Sequence, residues 1–211
     1  MNRKRRIIIP FLAILLAVLV LEPLAFIGFR PTEEGARLVA ERAVHYGPSE
    51  TVYRFQEGLN HYALGRSGNC ISLSRTFHFL LWLSDKPALV PIDSTEPISL
   101  GYLQSASGDT FYLFGFCADT AAAGIRVTMS DGSIQETAQF YEQLFILPLS
   151  LKDNSDFLYI PYSIAWIECY DADGETIAVY DSDDLEERYF HDDGDPHRAA
   201  AEYTYGTPSL G

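Results

Sequence analysis

The residues best suited to bind a metal lie in one short run near the C-terminus. Two imidazoles and three carboxylates fall within seven residues there, at His191, Asp192, Asp193, Asp195 and His197. Because imidazole and carboxylate together suit a borderline divalent cation, His191, Asp193, Asp195 and His197 are the candidate ligands. The same run belongs to a stretch predicted to be of low order, and a bound metal would have to overcome its conformational entropy. We therefore expect adventitious binding or none, and we predict no cofactor.

Cysteine is the second residue type that could carry chemistry. Cys70 could act as a nucleophile with His61 or His78 as its base, but nothing in its local sequence lowers the pKa of the thiol. A packed thiol is the simpler interpretation. The chain has no Gly-x-Ser-x-Gly, His-Glu-x-x-His or glycine-rich phosphate-binding motif. The sequence favours a protein that is not an enzyme, and a metal- or thiol-dependent hydrolase of the cell envelope is the alternative.

An apolar segment at residues 7–29 indicates where the protein resides. As one helix, these residues span about 35 Å, which is enough to cross a bilayer. A cleaved signal peptide is the competing hypothesis, but we find no cleavage site with small residues at the required spacing. Four cations at residues 3–6 precede the segment. We predict a cytoplasmic stub and transmembrane anchor over residues 1–29, with residues 30–211 outside the cell.

The rest of the chain is strongly acidic. Four of the 15 lysine and arginine residues and one of the 29 acidic residues precede residue 30, which leaves a formal charge of −17 beyond it. Such a charge repels phosphate backbones, so nucleic acid is excluded as a partner. The partners we predict are the membrane, through residues 7–29, and a membrane or envelope protein.

Residues 30–97 are predicted to form a short helix followed by antiparallel strands. Thr32 is an N-cap candidate for an amphipathic helix over residues 32–46, whose charged face we expect to be solvated. Hairpins are predicted around residues 56–58 and 67–69. The apolar run at residues 77–83 favours a buried strand, and residues 86–97, which contain three prolines, favour a linker or an edge connection.

Residues 98–180 carry the clearest strand pattern. β-Prone runs flank Asp131 and Gly132, and again Asp173 and Gly174, which is the strongest short-range signal for a hairpin. Both faces of the strand expected at residues 110–117 are apolar or aromatic, which favours a strand packed on both sides. A strand that lines a ligand or protein surface is the alternative. The expected fold class is mainly β (α+β overall), with an antiparallel sheet and an immunoglobulin-like β-sandwich. Residues 181–211 hold nine acids against two arginines and are predicted to be an acidic tail of low order.

Three segments of this region carry a family resemblance. They read YLFGFCAD at residues 112–119, IRVTMSDG at 125–132 and IECYDADGETIA at 167–178. Together they resemble the β-sandwich half of small, singly anchored extracytoplasmic proteins of Gram-positive bacteria, most of which have no known function. The resemblance implies a fold and a location and carries no activity.

Two of the three cysteines form a candidate disulfide. Cys117 and Cys169 lie on the strands that we place second and penultimate in the sandwich, where immunoglobulin domains carry their inter-sheet bridge. Cys169 alternates with Ala165 and Ile167, while Glu168 and Tyr170 face the other way. This pattern is also typical of a buried apolar thiol, so bridge and free thiols both stay open. With no catalytic constellation in view, we predict a membrane-anchored extracytoplasmic binding or interaction module.

Overall fold

The computed structural model describes residues 28–150 and 163–189 of the 211-residue chain. The predicted anchor at residues 7–29, apart from Gly28 and Phe29, lies outside the described residues, as does the candidate metal run at residues 191–197. Within the described ranges, no helix is long and apolar enough to cross a bilayer. The fold is mainly β and its sheets are antiparallel, which confirms that part of the predicted fold class.

The first helix, α1 (Glu33–Ala43), begins where the sequence predicts. The Thr32 hydroxyl accepts a hydrogen bond from the Gly35 amide at 3.1 Å, and Glu33 and Glu34 place negative charge in the first turn. The prediction of a solvated charged face is wrong, however. Arg37 and Glu41 are 4% and 0% exposed because their face of the helix packs on the first sheet.

This first sheet follows α1 in the chain and has five strands. The order is β1-β2-β3-β4. β5 pairs with the same edge of β3 as β4 does, but β4 pairs with the C-terminal end of β3 and β5 with its N-terminal end. The strands are β1 (Glu50–Glu57), β2 (Asn60–Ser67), β3 (Cys70–Phe79), β4 (Leu81–Ser84) and β5 (Ala88–Pro91). Gly58 and Gly68 have positive φ in the two predicted hairpin turns, which confirms both hairpins. The edge connection predicted within residues 86–97 is β5.

The prediction of one buried strand at residues 77–83 is wrong. β3 ends at Phe79, the chain reverses at Leu80, and β4 returns alongside β3. Phe77, Phe79 and Leu80 are exposed. An unbroken apolar run does not reveal a hairpin when its turn residue is a leucine rather than glycine or asparagine.

The remaining strands form two four-stranded sheets that face each other as a β-sandwich. The middle sheet has the order β10-β11-β7-β6, with β6 (Ile98–Gln104), β7 (Thr110–Cys117), β10 (Phe140–Tyr141) and β11 (Leu144–Ser150). The outer sheet has the order β13-β12-β8-β9, with β8 (Ala122–Met129), β9 (Ile134–Thr137), β12 (Ile164–Asp171) and β13 (Thr176–Asp181).

The middle sheet lies between two hydrophobic cores. Phe111, Leu113 and Cys117 of β7 belong to the core shared with the outer sheet. Tyr112, Phe114 and Phe116 of the same strand belong to the core shared with the first sheet. The expectation that β7 packs on both of its faces is therefore confirmed, and the order of layers is first, middle and outer sheet.

The two hairpins predicted in the outer sheet are present. Gly132 and Gly174 have φ of 78° and 84°, a conformation that glycine adopts without steric cost. Asp171 closes its turn by accepting hydrogen bonds from the amides of Asp173 and Glu175, both at 2.9 Å. This carboxylate therefore has a role in the hairpin itself.

The first eight residues after β13 are more ordered than their composition predicts. Residues at the start of the expected acidic tail form α2 (Ser182–Tyr189). Leu185 is buried in the core of the sandwich. Leu185 thus packs α2 onto the sandwich, although the charge of this segment suggested low order. Residues 190–211 lie outside the described residues.

Candidate functional site

The cysteines of the candidate disulfide face each other across the sandwich. Cys117 ends β7 and Cys169 lies in β12, and both side chains are fully buried. Their Sγ atoms are 3.5 Å apart, close enough for a hydrogen bond between thiols, and no covalent bond joins them. The hydrogen bond with Cys117 and burial both raise the pKa of Cys169. The two thiols are therefore placed where a disulfide could join the two sheets, and both are shielded from solvent.

The residues of the proposed thiol nucleophile do not meet. Cys70 begins β3 beside Ser67, whereas His78 lies eight residues further along the same strand, about 26 Å away at ~3.3 Å per residue. His61 pairs with Thr76, about 20 Å along β3 from Cys70 on the same rise. Burial also raises the pKa of Cys70 to about 11, which keeps the thiol protonated. Neither His61 nor His78 can therefore act as the base for a Cys70 nucleophile.

The buried charges under α1 form a structural network. Arg37 Nη1 donates to Glu41 Oε1 at 2.7 Å, and the two oxygens of Glu41 accept hydrogen bonds from the Ser49 hydroxyl at 2.6 Å and the Ser49 amide at 3.1 Å. These bonds fasten the chain after α1 onto the helix. Both oxygens of Glu41 accept hydrogen bonds and the side chain is 0% exposed, so this carboxylate serves the structure of the fold.

The outer surface of the outer sheet mixes exposed apolar side chains with charged ones. We call it the outer-sheet face, and it comprises these residues of four adjacent strands: Gly124, Arg126, Thr128, Ile134, Glu136, Trp166, Glu168, Tyr170, Val179 and Asp181. Strand register arranges most of them in two rows. One runs Asp181, Trp166, Thr128, Ile134, and the other runs Val179, Glu168, Arg126, Glu136.

Aromatic and cationic side chains are held in place on this face. The Tyr170 ring lies over Gly124, and a Cβ at position 124 would overlap the ring. The Arg126 guanidinium stands 4.8 Å from the centroid of the Tyr170 ring. Arg126 also pairs with Glu136 at 3.2 Å and with Glu168 at 3.9 Å. Gly124 therefore lets Tyr170 lie flat, and the ring in turn positions Arg126.

Trp166 stands beside this group with 43% of its surface exposed, and Val179 and Ile134 are exposed at 52% and 60%. Tryptophan, tyrosine and arginine are the residues that most often dominate the energy of protein interfaces. Trp166, Tyr170 and Arg126 lie on strands of the sandwich, which hold these side chains more precisely than loops would. This arrangement can hold a partner by apolar contact and hydrogen bonds, and it brings no nucleophile and base together.

Sequence reasoning found the orientation of this face and missed its importance. The alternation along β12 predicts that Cys169 points inward while Glu168 and Tyr170 point outward, and the register confirms this. The signal for Trp166 was present in the same alternation, since it is two residues before Glu168. Gly124 carried no signal, because only the sheet register brings it beneath Tyr170.

The predicted metal ligands His191, Asp193, Asp195 and His197 lie outside the described residues, so their site stays a prediction. Within residues 28–150 and 163–189, no group of three or more histidine, cysteine or acidic side chains could hold a metal ion. Comparison with known proteins gives no further guidance, because no family model, curated protein or solved structure matches this chain.

Proposed function

We propose that the protein is a membrane-anchored extracytoplasmic binding module that presents the outer-sheet face to a protein partner. Residues 7–29 provide the anchor in this proposal, and the cations at residues 3–6 keep the N-terminus in the cytoplasm. The resemblance to singly anchored envelope proteins of Gram-positive bacteria agrees with that location. The outer-sheet face, with Trp166, Tyr170 and Arg126 on one rigid surface, is the observation that carries the proposal.

The order of the strands supports an immunoglobulin-like sandwich. With β6, β7 and β11 taken as strands A, B and E, the middle sheet reads E-B-A. The outer sheet then reads G-F-C-C′, from β13, β12, β8 and β9. Immunoglobulin domains distribute strands between two sheets in this way and place their disulfide between B and F, the strands that hold Cys117 and Cys169 here.

The charges of the outer-sheet face indicate the kind of partner. Glu136 and Glu168 pair with Arg126, which carries the single guanidinium of this face, and Asp181 adds a third carboxylate two strands away. The protein beyond residue 29 carries a charge of −17. A partner with an apolar centre for Trp166 and a basic rim complements this surface, and the acidic field of the module speeds their encounter. A membrane or envelope protein with such a surface is the partner class that we propose.

Site-specific photo-crosslinking in membranes of the source cell tests this function. A photoreactive residue in place of Val179 should capture one discrete protein, and Trp166→Ala in the same chain should abolish the capture. A photoreactive residue in place of Arg54, which is exposed on the first sheet, is the matched control and should capture nothing. Equal capture from both positions, or catalytic turnover by the purified protein that survives Trp166→Ala, would overturn the proposal.

A further inference from the structure

We propose that the β3–β4 hairpin inserts its tip into the interfacial region of the bilayer beside the anchor, so that the protein contacts lipid at a second place. This inference rests on the proposed anchoring by residues 7–29. We call the surface concerned the hairpin tip, and it comprises Leu59, Phe77, Phe79, Leu80 and Trp82.

Four of the seven large hydrophobic residues that are exposed among the described residues belong to the hairpin tip. Leu80 and Phe79 are 86% and 66% exposed, and Leu59 and Phe77 are exposed beside them. Leu59 belongs to the same surface because its carbonyl accepts a hydrogen bond from the His78 amide at 3.1 Å. The sequence has no lysine, arginine, aspartate or glutamate between Arg75 and Asp85. Apolar surface of this kind marks a contact with another phase or molecule.

The backbone at the tip adds an independent observation. Leu80 has a φ of 64°, in the left-handed region that glycine and asparagine adopt more easily than a branched side chain does. A leucine therefore occupies a turn position where it strains the backbone, and it projects almost all of its side chain outward. Strain of this kind is most readily understood where the exposed side chain has a function.

The anchor joins the fold at this hairpin. Arg30 forms two backbone hydrogen bonds with Trp82, of 2.7 and 2.8 Å, and Gly28 lies against the side chain of Leu83. The predicted span ends at Phe29, and one residue covers at most about 3.6 Å. No linker therefore separates the membrane from β4, and the bilayer surface must lie close to the hairpin.

The aromatic residues of the hairpin suit the boundary between lipid and water. Trp82 stacks on His78 at 4.2 Å between ring centroids and packs at right angles to His61 at 4.7 Å between ring centroids. Tryptophan is enriched at membrane interfaces, and phenylalanine and leucine are the side chains that interfacial segments bury beneath the headgroups. The charge of −17 beyond residue 29 opposes anionic lipid. The contact is therefore apolar, and neutral phosphatidylcholine is sufficient for it.

The experiment places an environment-sensitive fluorophore at one introduced cysteine of the full chain, reconstituted in phosphatidylcholine vesicles. The native Cys117 and Cys169 stay unlabelled because both are fully buried. Leu80→Cys reports on the tip, Val179→Cys on the outer-sheet face and Val18→Cys on the anchor, all with Cys70→Ala. The probes at residues 80 and 18 should be quenched by spin-labelled lipid. Iodide in the water should quench the probe at 80 roughly threefold less than the probe at 179, as expected for burial beneath the headgroups.

Each other outcome overturns the inference in a distinguishable way. If lipid quenches the probe at 18 while iodide reaches 80 and 179 equally, the anchor stands and the second lipid contact is wrong. If lipid does not quench the probe at 18, the anchor and the inference are both wrong. A probe at 80 that neither quencher reaches would mean that another part of the chain, such as residues 7–27, covers the tip.

A substitution pair gives a matched control. With the probe moved to Leu59→Cys, Leu80→Asn should expose it to iodide, because asparagine fits the backbone of the turn and removes the apolar contact. Ile134→Asn removes an exposed apolar side chain from the outer-sheet face and should leave the probe at 59 unchanged. An equal response to both substitutions would contradict insertion of the tip.

Discussion

The two exposed apolar surfaces of this protein differ in how they are built. The outer-sheet face interleaves Trp166 and Tyr170 with Arg126 and carboxylates, on strands bonded to neighbours on both sides. The hairpin tip has no charged residue and ends in a strained turn at Leu80. Charged side chains that are paired can be desolvated selectively by a complementary protein, whereas a charge-free tip suits lipid. An exposed apolar surface alone therefore does not identify the kind of partner. The charged residues around that surface distinguish a protein partner from lipid.

The largest expected effect concerns Cys117 and Cys169, which lie between the two sheets of the sandwich, beneath the outer-sheet face. Refolding the protein in the presence of a disulfide reagent, which reaches both thiols before they are buried, should link Cys117 and Cys169 with the loss of two hydrogen atoms, because their Sγ atoms are 3.5 Å apart in the folded protein. The bridge should raise the free energy of unfolding by about 4 kcal/mol, since it closes a loop of some 50 residues. Mass spectrometry and denaturant unfolding measure both changes. Failure to link under oxidant, with both thiols still unmodified, would contradict the proposed geometry.

The second prediction separates the two surfaces by function. Trp166→Ala should weaken binding of the captured partner by about 2 kcal/mol or more, roughly thirtyfold, as an interface hot spot does. Leu80→Asn should leave that affinity unchanged, because the tip belongs to a different surface. Titration of the purified partner by calorimetry measures both. If the two substitutions weaken binding equally, the distinction between the surfaces fails.

The third prediction tests whether the outer-sheet face is held rigidly. Gly124→Ala should lower the free energy of unfolding by about 1–2 kcal/mol, because the new methyl group displaces the Tyr170 ring. In a Tyr170→Ala background, Gly124→Ala should instead stabilise the protein by up to ~1 kcal/mol, since alanine is preferred over glycine within a strand. Denaturant unfolding of the four proteins measures the cycle. If Gly124→Ala changed the free energy of unfolding in the same direction in both backgrounds, the position of the Tyr170 ring would not depend on Gly124.

The smallest expected effect concerns strain at the tip. Leu80→Asn should raise the free energy of unfolding of a fragment covering residues 28–211 by about 1 kcal/mol, because asparagine tolerates the left-handed backbone. Leu80→Ala keeps a Cβ without that tolerance and should give no such gain. A loss of stability with asparagine would mean that Leu80 packs within the fold.

The sequence was informative where one local rule decides the structure. Asp131 with Gly132 and Asp173 with Gly174 specify their hairpins, because the turn requires positive φ and glycine supplies it. Thr32 identified the start of α1, and the alternation in β7 revealed a strand packed on both sides.

Prediction failed where distant contacts override a local pattern. Arg37 and Glu41 resemble a solvated pair at helical spacing, yet Ser49 completes a buried network around them. Nothing local separates Leu80 from its apolar neighbours, so the turn there was missed. The outer-sheet face likewise depends on register between strands, which brings Gly124 to Tyr170 and Arg126 to Glu168.

Labelling by a membrane-impermeant maleimide compares both surfaces in one measurement. Leu80→Cys and Val179→Cys, each with Cys70→Ala, are treated in membranes of the source cell and in phosphatidylcholine vesicles that contain the purified protein alone. We predict that residue 80 is protected in both membranes and that residue 179 is protected only in the native one, where its protein partner is present. Equal reactivity of residue 179 in the two membranes, or free reactivity of residue 80 in either, would contradict the assignment of one surface to protein and the other to lipid.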